Sequence, residues 1–289
     1  MTGQKIDGIA VAKSVKDRVK IAATLLQEEG VTPCLATILV GENPASMTYV
    51  SSKQKACAEV GIKTKDHKLP ESFSQKEMNS LIDLLNKDDE VHGILVQLPL
   101  PKQLDEFSTT SRISPIKDVD GLTPYNVGLL SSGRAILKPC TPSGIMELFD
   151  YYKIDLSGKN VVIINRSHLV GKPLYHLMLE KNATVTTCHS KTRNLKQHCL
   201  GADIIVTAIG DREKFTLTAD MVPDNIIVID VGTSRKEGKL AGDVDYENVI
   251  KKASFATPVP GGVGPMTIAM LLKNTVTAAS MSKGFVSSR

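Results

Sequence analysis

The chain has 289 residues, 42% of them hydrophobic and 23% charged. This is an ordinary globular composition, and the length allows two domains that each bury a core. A formal net charge of +4 does not indicate a nucleic-acid binder, although it suits an anionic small ligand. No apolar run is long enough to cross a bilayer, and the N-terminus lacks the apolar segment of a signal peptide.

Cysteine and histidine usage bounds the chemistry further. The five cysteines are odd in number and form no C-x-x-C pair. Reduced thiols in a cytoplasmic protein explain them best. The six histidines have no metal-ligand spacing, so we expect no metal.

The first part of the chain alternates helix and strand signals. Apolar residues at helical spacing predict a helix over about 8–29, and the continuous apolar run 34–40 predicts a strand buried on both faces. Asn43 and Pro44 are typical of an N-cap and first helical turn, so a second helix is predicted up to Gly61.

Alternating polar and apolar residues at 62–69 predict a second strand, nearer the surface. Ser74 and Glu77 form a capping box for the next helix, and 92–101 indicates another buried strand. The segment 98–143 is rich in Pro, Ser, Thr and Gly and predicts loops and a domain connection.

Strand and helix signals alternate again beyond residue 159. Apolar runs predict strands over 160–165, 184–189, 203–210 and 226–232. A helix is predicted after each of the first two strands, and a final helix from about Met266. Repeated strand–helix–strand units imply an α/β fold with a doubly wound parallel sheet.

The turn after strand 160–165 reads "NRSHLVGKP" and lacks the full G-x-G-x-x-G series, so alone it is a weak dinucleotide signal. The next strand ends in "CHSKTR" with no acid for a ribose hydroxyl. Ser190, Lys191 and Arg193, with Arg166, instead favour a ribose 2′-phosphate, hence NADP over NAD. A solvated basic loop is the alternative, disfavoured by its position at a strand's carboxyl end.

Several stretches resemble one family, in its order and over nearly the whole chain. They include "ASMTYVSSKQKACAEVGI", "GILVQLPLP", "SPIKDVDGL", "PCTPSGIMELF", "RSHLVGKPL" and "ASFATPVPGGVGPMTIAML". The chain resembles bifunctional methylenetetrahydrofolate dehydrogenase/methenyltetrahydrofolate cyclohydrolases. Y-x-x-x-K or "DVDG" alone is common, whereas both together with "PVPGGVGPMT" are highly specific.

The resemblance implies two-domain α/β homodimers. A catalytic folate-binding domain would span 1–140 and be completed by a C-terminal helix at 270–289, and a Rossmann-like NADP-binding domain would span 141–269. The folate would lie in the cleft. Such an enzyme oxidises 5,10-methylenetetrahydrofolate to the methenyl compound with NADP+ and hydrolyses that to 10-formyltetrahydrofolate.

The resemblance also assigns site residues. The expected catalytic set is Tyr49, Lys53, Gln97 and Asp120. The folate would contact Tyr49, Gln97, Leu98, Pro99, Asp120, Pro260, Gly261 and Gly262. The cofactor would contact Asn165, Arg166, Ser167, Ser190, Arg193, Gly210 and Thr233. The chain departs from the family pattern at Asn165, where glycine is usual, and at Thr233–Ser234, where Ile-Asn is common.

Three other interpretations remain. A short-chain dehydrogenase also carries Y-x-x-x-K, but there the glycine turn comes first, whereas here Tyr49 precedes the "NRS" turn. A non-catalytic nucleotide-sensing or folate-binding protein would tolerate loss of Lys53, whereas Lys53 is present here. A monofunctional dehydrogenase with feeble cyclohydrolase activity stays open on sequence grounds.

Overall fold

The computed structural model describes residues 3–236 and 238–284. The chain divides into two compact units: one comprises the residues up to Lys13 together with Thr141–Thr267, and the other comprises Ser14–Cys140 and the residues from Ile268 onward. We call them the six-stranded unit and the three-stranded unit after their sheets. Residues 285–289 of the expected C-terminal helix lie outside the described residues.

The strands alternate with the helices in both units. In chain order they are β1 (Gln4–Lys5), β2 (Cys34–Val40), β3 (Lys63–Leu69), β4 (Gly93–Val96), β5 (Asn160–Ile164), β6 (Thr184–Cys188), β7 (Ile204–Thr207), β8 (Ile226–Asp230), β9 (Ser234–Lys236), β10 (Lys239–Ala241) and β11 (Ala253–Ala256). The helices are α1 (Gly8–Glu28), α2 (Pro44–Glu59), α3 (Gln75–Lys87), α4 (Glu106–Ser111), α5 (Pro124–Ser131), α6 (Cys140–Tyr151), α7 (Gly171–Glu180), α8 (Leu195–Leu200), α9 (Tyr246–Val249) and α10 (Val263–Ser282).

The six-stranded unit contains the doubly wound parallel sheet that the sequence predicts. Its strand order is β1-β11-β8-β7-β5-β6, and every pairing in it is parallel. Residues 161–164 of β5 and all of β7 are buried, so both faces of these strands are covered. The prediction missed β1, β11 and the antiparallel hairpin β9–β10, which are short.

The first residues of the chain belong to this sheet. Gln4 and Lys5 pair in parallel with Phe255 and Ala256. The observed division therefore differs from the expected 1–140 and 141–269 at its start, because this pairing joins residues up to Lys13 to the six-stranded unit.

The three-stranded unit is built on the parallel order β3-β2-β4. All seven residues of β2 are buried, as its apolar run predicts, and β3 is half exposed at the sheet edge. Met78, Ile82 and Leu85 of α3 pack against the sheet in one apolar core. The predicted capping box is present, since Ser74 and Glu77 exchange both hydrogen bonds.

The segment 98–143 is more ordered than its composition predicts. It contains α4, α5 and the start of α6. Asp105 caps α4, and Thr123 caps α5 with Pro124 in the first turn. The residues that suggested loops are therefore partly the start signals of short helices.

Within the described ranges, no helix is both long and apolar enough to span a membrane.

Candidate functional site

Lys53 is the central group of the three-stranded unit. It lies on α2 with Tyr49 one turn earlier, and the predicted N-cap is present because Asn43 Oδ1 accepts the Ser46 N–H at 3.1 Å. Positions i and i+4 share a helix face. Tyr49 is 45% exposed, whereas Lys53 is only 9% exposed. The helix thus presents an aromatic ring at the surface beside an amine that is largely withdrawn from water.

Gln97 holds the Lys53 amine. It follows β4 directly, and its backbone N–H donates to Ile38 of β2 at 2.9 Å. The Gln97 side-chain nitrogen donates to the Leu98 carbonyl at 2.7 Å, and its oxygen accepts from Lys53 Nζ at 3.0 Å. Because the amide nitrogen is engaged, the amide oxygen is the group that faces the lysine. The Leu98–Pro99 peptide that follows is cis.

Two aspartates in "DVDGL" have different surroundings. Asp118 is buried and accepts the N–H groups of Leu122 at 3.1 Å and Thr123 at 2.8 Å, as well as Nδ2 of Asn126 at 2.9 Å. It therefore supports the turn and the start of α5. Asp120 is half-buried and lies in the electrostatic environment of Lys53. The structure separates a turn-forming carboxylate from a carboxylate beside the amine.

Burial dominates the ionisation of this pair. It lowers the pKa of Lys53, and the nearby Asp120 carboxylate opposes this by favouring the ammonium form. Burial also raises the pKa of Asp120, which Lys53 opposes in turn. A lysine with a lowered pKa holds a larger fraction of neutral amine at a given pH, and only that form accepts a proton.

Cys140 and Asn274 both contact the carbonyl of Val119, the residue before Asp120, and sequence reasoning did not include them in the site. The Cys140 thiol donates to the Val119 carbonyl oxygen at 3.3 Å and lies in the electrostatic environment of Asp120. Asn274 Nδ2, from α10, donates to Val119 at 2.8 Å. Burial raises the pKa of Cys140 well above its usual value, so this cysteine is not an activated thiolate. The position of Cys140 in "KPCTPSG" gives no sequence signal of its contact with Val119.

The turn after β5 is closed by Asn165. Its side-chain oxygen accepts the N–H groups of Ser167 at 2.7 Å and Gly171 at 3.0 Å, and its nitrogen donates to Ala208 at 2.5 Å. A Cβ on Gly171 would lie 2.2 Å from the Asn165 carbonyl oxygen, so only glycine fits there. Asn165 thus fastens the turn, and Arg166 beside it is exposed.

The other expected cofactor residues also lie at carboxyl ends of strands of the six-stranded sheet. Ser190 and Arg193 follow β6 and are exposed, and no carboxylate occurs between residues 188 and 193. Gly210 follows β7 with φ +68°, and Thr233 follows β8. A doubly wound sheet binds its ligand at this edge. The exposed hydroxyl and guanidinium groups fit a phosphorylated dinucleotide such as NADP.

The stretch "PVPGGVGP" leads into α10, which begins at Val263, and packs on the start of α1 within the six-stranded unit. Gly8 donates to the Gly261 carbonyl at 2.9 Å, and Gly261 has φ +97°. A Cβ on Gly8 would lie 1.7 Å from the Gly262 carbonyl oxygen, so the backbones need glycine to approach. The Val259–Pro260 peptide is cis.

Tyr49, Lys53, Gln97 and Asp120 thus lie in the three-stranded unit, while the predicted cofactor residues and the 260–262 loop lie in the six-stranded unit. In the part of the chain that the structure describes, no group of three or more His, Cys, Asp or Glu side chains is placed to share a metal ion.

Two domain models of one protein family match this chain. Residues 6–120 match the model of the tetrahydrofolate dehydrogenase/cyclohydrolase catalytic domain, and residues 139–283 match that family's NAD(P)-binding domain. The bifunctional protein FolD of Nitrosopumilus maritimus is 68% identical over 282 residues, which cover 98% of each chain.

Two solved structures extend this similarity to the fold. The bifunctional FolD dehydrogenase/cyclohydrolase of Campylobacter jejuni is 49% identical with a TM-score of 0.93, covering 98% of this chain and 99% of that one. The Trypanosoma brucei dehydrogenase-cyclohydrolase, complexed with NADP and an inhibitor, is 36% identical with a TM-score of 0.93 and the same coverage. The chain belongs to the tetrahydrofolate dehydrogenase/cyclohydrolase family.

Proposed function

We propose that this chain oxidises 5,10-methylenetetrahydrofolate to 5,10-methenyltetrahydrofolate with NADP+ and then hydrolyses the product to 10-formyltetrahydrofolate. The observation that carries the proposal is the buried Lys53 amine, hydrogen-bonded to Gln97 in the unit that matches the family's catalytic domain. The NAD(P)-binding match over the six-stranded unit supports the oxidation.

The oxidation asks little of the protein beyond positioning. The carbon that loses hydride lies between two nitrogens, which share the resulting positive charge, so no base is needed. NADP+, when bound, supplies the hydride acceptor. We assign its binding to Arg166, Ser167, Ser190 and Arg193, with Asn165 holding the turn as described. Gly210 and Thr233 complete this set at the neighbouring strand ends.

The hydrolysis needs proton transfer, because water adds to the methenyl carbon before the ring opens. We assign this role to Lys53, whose burial favours the neutral form. Gln97 orients the amine by accepting its hydrogen bond, since its own nitrogen is held by Leu98. Lys53 then takes one proton from the attacking water and returns it to the ring nitrogen that leaves. The second water proton passes to solvent as the C–N bond breaks and the formyl C=O forms.

We assign folate binding to Tyr49, on the same helix as the amine, and to Asp120, in its electrostatic environment. The exposed Tyr49 ring offers a stacking surface for the flat pterin. The Asp120 carboxylate offers two acceptors for the pterin amino group and ring N–H. We extend the folate contacts to Leu98, Pro99 and the 260–262 loop, Pro260 with Gly261 and Gly262, on the strength of the family pattern.

We also propose a cytoplasmic homodimer. The dimer rests on the family resemblance. The five cysteines are free and buried, which suits a reducing compartment.

The full-length protein tests the proposal directly. Mixed with methylenetetrahydrofolate and NADP+, it should produce NADPH and methenyl absorbance, and it should hydrolyse added methenyltetrahydrofolate without cofactor. NAD+ in place of NADP+ should react more slowly, because Ser190 and Arg193 favour a 2′-phosphate. A lack of reduced cofactor with either nucleotide would end the dehydrogenase assignment.

Cyclohydrolase activity should depend on the ionisation of Lys53. The neutral amine is the active form, so the rate should rise with pH through the Lys53 pKa and level off at a lower pH than an ordinary lysine would require. Gln97→Glu places an anion beside the amine, which favours the ammonium form and moves the rate profile to higher pH. We expect the rate at neutral pH to fall about tenfold.

Gln103→Glu, at an exposed glutamine of the same unit, is the matched control and should leave the profile in place. The measurement is the methenyl decay rate against pH for the three proteins. Identical pH profiles for Gln97→Glu and the parent would show that Gln97 does not influence the ionisation of Lys53.

A further inference from the structure

Two buried aspartates of the six-stranded unit lie directly behind the predicted cofactor edge. Asp230 is the last residue of β8, and Asp243 follows the β9–β10 hairpin; they are 3% and 0% exposed. Neither contributes to the residues assigned above. A buried carboxylate is costly unless its oxygens are hydrogen-bonded, so its partners indicate what it is used for.

Asp230 gathers donors from three segments. Its Oδ1 accepts the Gly232 N–H at 3.0 Å, the Asp243 N–H at 3.0 Å and the Thr207 hydroxyl at 3.3 Å. Its Oδ2 accepts the Val244 N–H at 3.0 Å. The carboxylate thereby ties the end of β7 and the loop after β8 to the residues that return from the hairpin.

Asp243 extends the network to the loop after β7. Its two oxygens accept the N–H groups of Ile209 at 2.7 Å and Gly210 at 2.9 Å. Burial raises the pKa of Asp243, and the charge of Arg212 opposes this by favouring the ionised form. Arg212 donates to the carbonyl groups of Gly242 at 2.9 Å and Val244 at 3.0 Å.

Glycines make room for both carboxylates. A Cβ on Gly232 would lie 2.2 Å from the Asp243 carboxyl group, and one on Gly242 would lie 1.9 Å from Asp230 Oδ2. The tips of the two loops are also neighbours, because a Cβ on Gly210 would lie 3.4 Å from the Thr233 carbonyl oxygen. The carboxylates therefore set the shape of the two loops that carry Gly210 and Thr233.

We propose that Asp230 and Asp243 are positioning residues for NADP, which hold loops 208–210 and 231–233 in the conformation that receives the cofactor. This inference rests on the proposed function. It predicts that the pair serves the dehydrogenase reaction alone, because cyclohydrolysis uses no nicotinamide and is assigned to residues of the three-stranded unit.

Asp243→Asn in the full-length protein tests the inference. The amide keeps one acceptor, so either Ile209 or Gly210 faces an NH2 group and loses its partner. We expect the KM for NADP+ to rise about tenfold or more. Hydrolysis of added methenyltetrahydrofolate without cofactor should stay within about twofold of the parent rate. Asp224→Asn, at an exposed carboxylate of the same unit, should change neither activity.

Thr207→Val is a milder second variant, which removes only the hydroxyl donor to Asp230. It tests the role of the two aspartates in NADP+ binding if Asp243→Asn does not fold. Its KM for NADP+ should rise about fivefold, again without loss of hydrolysis. An unchanged KM for NADP+, or an equal fall in both activities together with the melting temperature, would overturn the inference. A parent protein that reduces no cofactor would instead overturn the proposed function.

Discussion

Replacing Lys53 with methionine is expected to lower cyclohydrolase activity by about 10²- to 10⁴-fold, the usual contribution of a positioned acid–base group. Methionine keeps a similar apolar volume in the buried site but carries no proton. NADP+ affinity should stay within about twofold, because the cofactor residues lie in the other unit. The measurements are the decay of methenyl absorbance and the NADP+ dissociation constant by calorimetry.

Lys55→Met is the matched control, since Lys55 is an exposed lysine on the same helix. It should retain the parent rate, which separates the role of the Lys53 amine from a general effect of losing a charge on α2. Equal hydrolysis by Lys53→Met and the parent, after subtraction of the buffer rate, would remove Lys53 from the mechanism.

Asp120→Asn should weaken folate binding in both reactions. An amide offers one oxygen and one NH2 group, so one of the pterin's two donors would face another donor. Losing a hydrogen bond to a charged group costs about 1.5–3 kcal/mol, so the KM for the folate should rise about 10- to 100-fold. Initial rates against folate concentration, for each reaction separately, give this value.

The same substitution should not destabilise the fold. Burial raises the folded-state pKa of Asp120 above its ordinary 3.8. At a pH between these two pKa values, the folded state keeps a proton that the unfolded chain has released. The contribution of this group to stability therefore falls as pH rises from about 3.8 through the folded pKa, and at neutral pH the buried charge is a cost that asparagine removes. We expect an equal or higher melting temperature at pH 7.

Asp118→Asn provides the contrast within the same turn. Asp118 accepts two backbone N–H groups and the Asn126 amide, so its loss should cost about 1–3 kcal/mol of stability with little change in the folate KM. If Asp120→Asn lost stability and kept its folate KM, the assignment of the two carboxylates would be reversed.

The predictions that depend on neighbouring residues, such as helix caps and buried strands, agree best with the structure. The Ser74–Glu77 capping box and the Asn43 cap involve residues three apart, so their geometry follows from the helix itself. The apolar run of β2 reports burial on both faces directly. The short helices α4 and α5 were missed because Asp105 and Thr123–Pro124 stand in a segment whose composition is that of a loop.

The chemical state of the site was beyond the reach of local patterns. Lys53 and Gln97 are 44 residues apart and meet at 3.0 Å. Burial and the approach of Asp120 act on the Lys53 pKa in opposite directions. Spacing on α2 predicts that Tyr49 and Lys53 share a face, yet it does not predict that one is exposed and the other withdrawn.

The amino-acid order alone was enough to predict an α/β protein with a parallel doubly wound sheet and to identify its family, because strand burial, helix caps and motifs are written in neighbouring residues. Packing decided the rest. Asp118 and Asp120 look alike in "DVDGL", and Asp230 stands near the end of an ordinary predicted strand, until the register of the sheets sets which donors and charges surround each carboxylate. Desolvation and long-range hydrogen bonds act through space, so residues distant in the chain control the ionisation of Lys53 and the placement of the loops around Gly210 and Thr233.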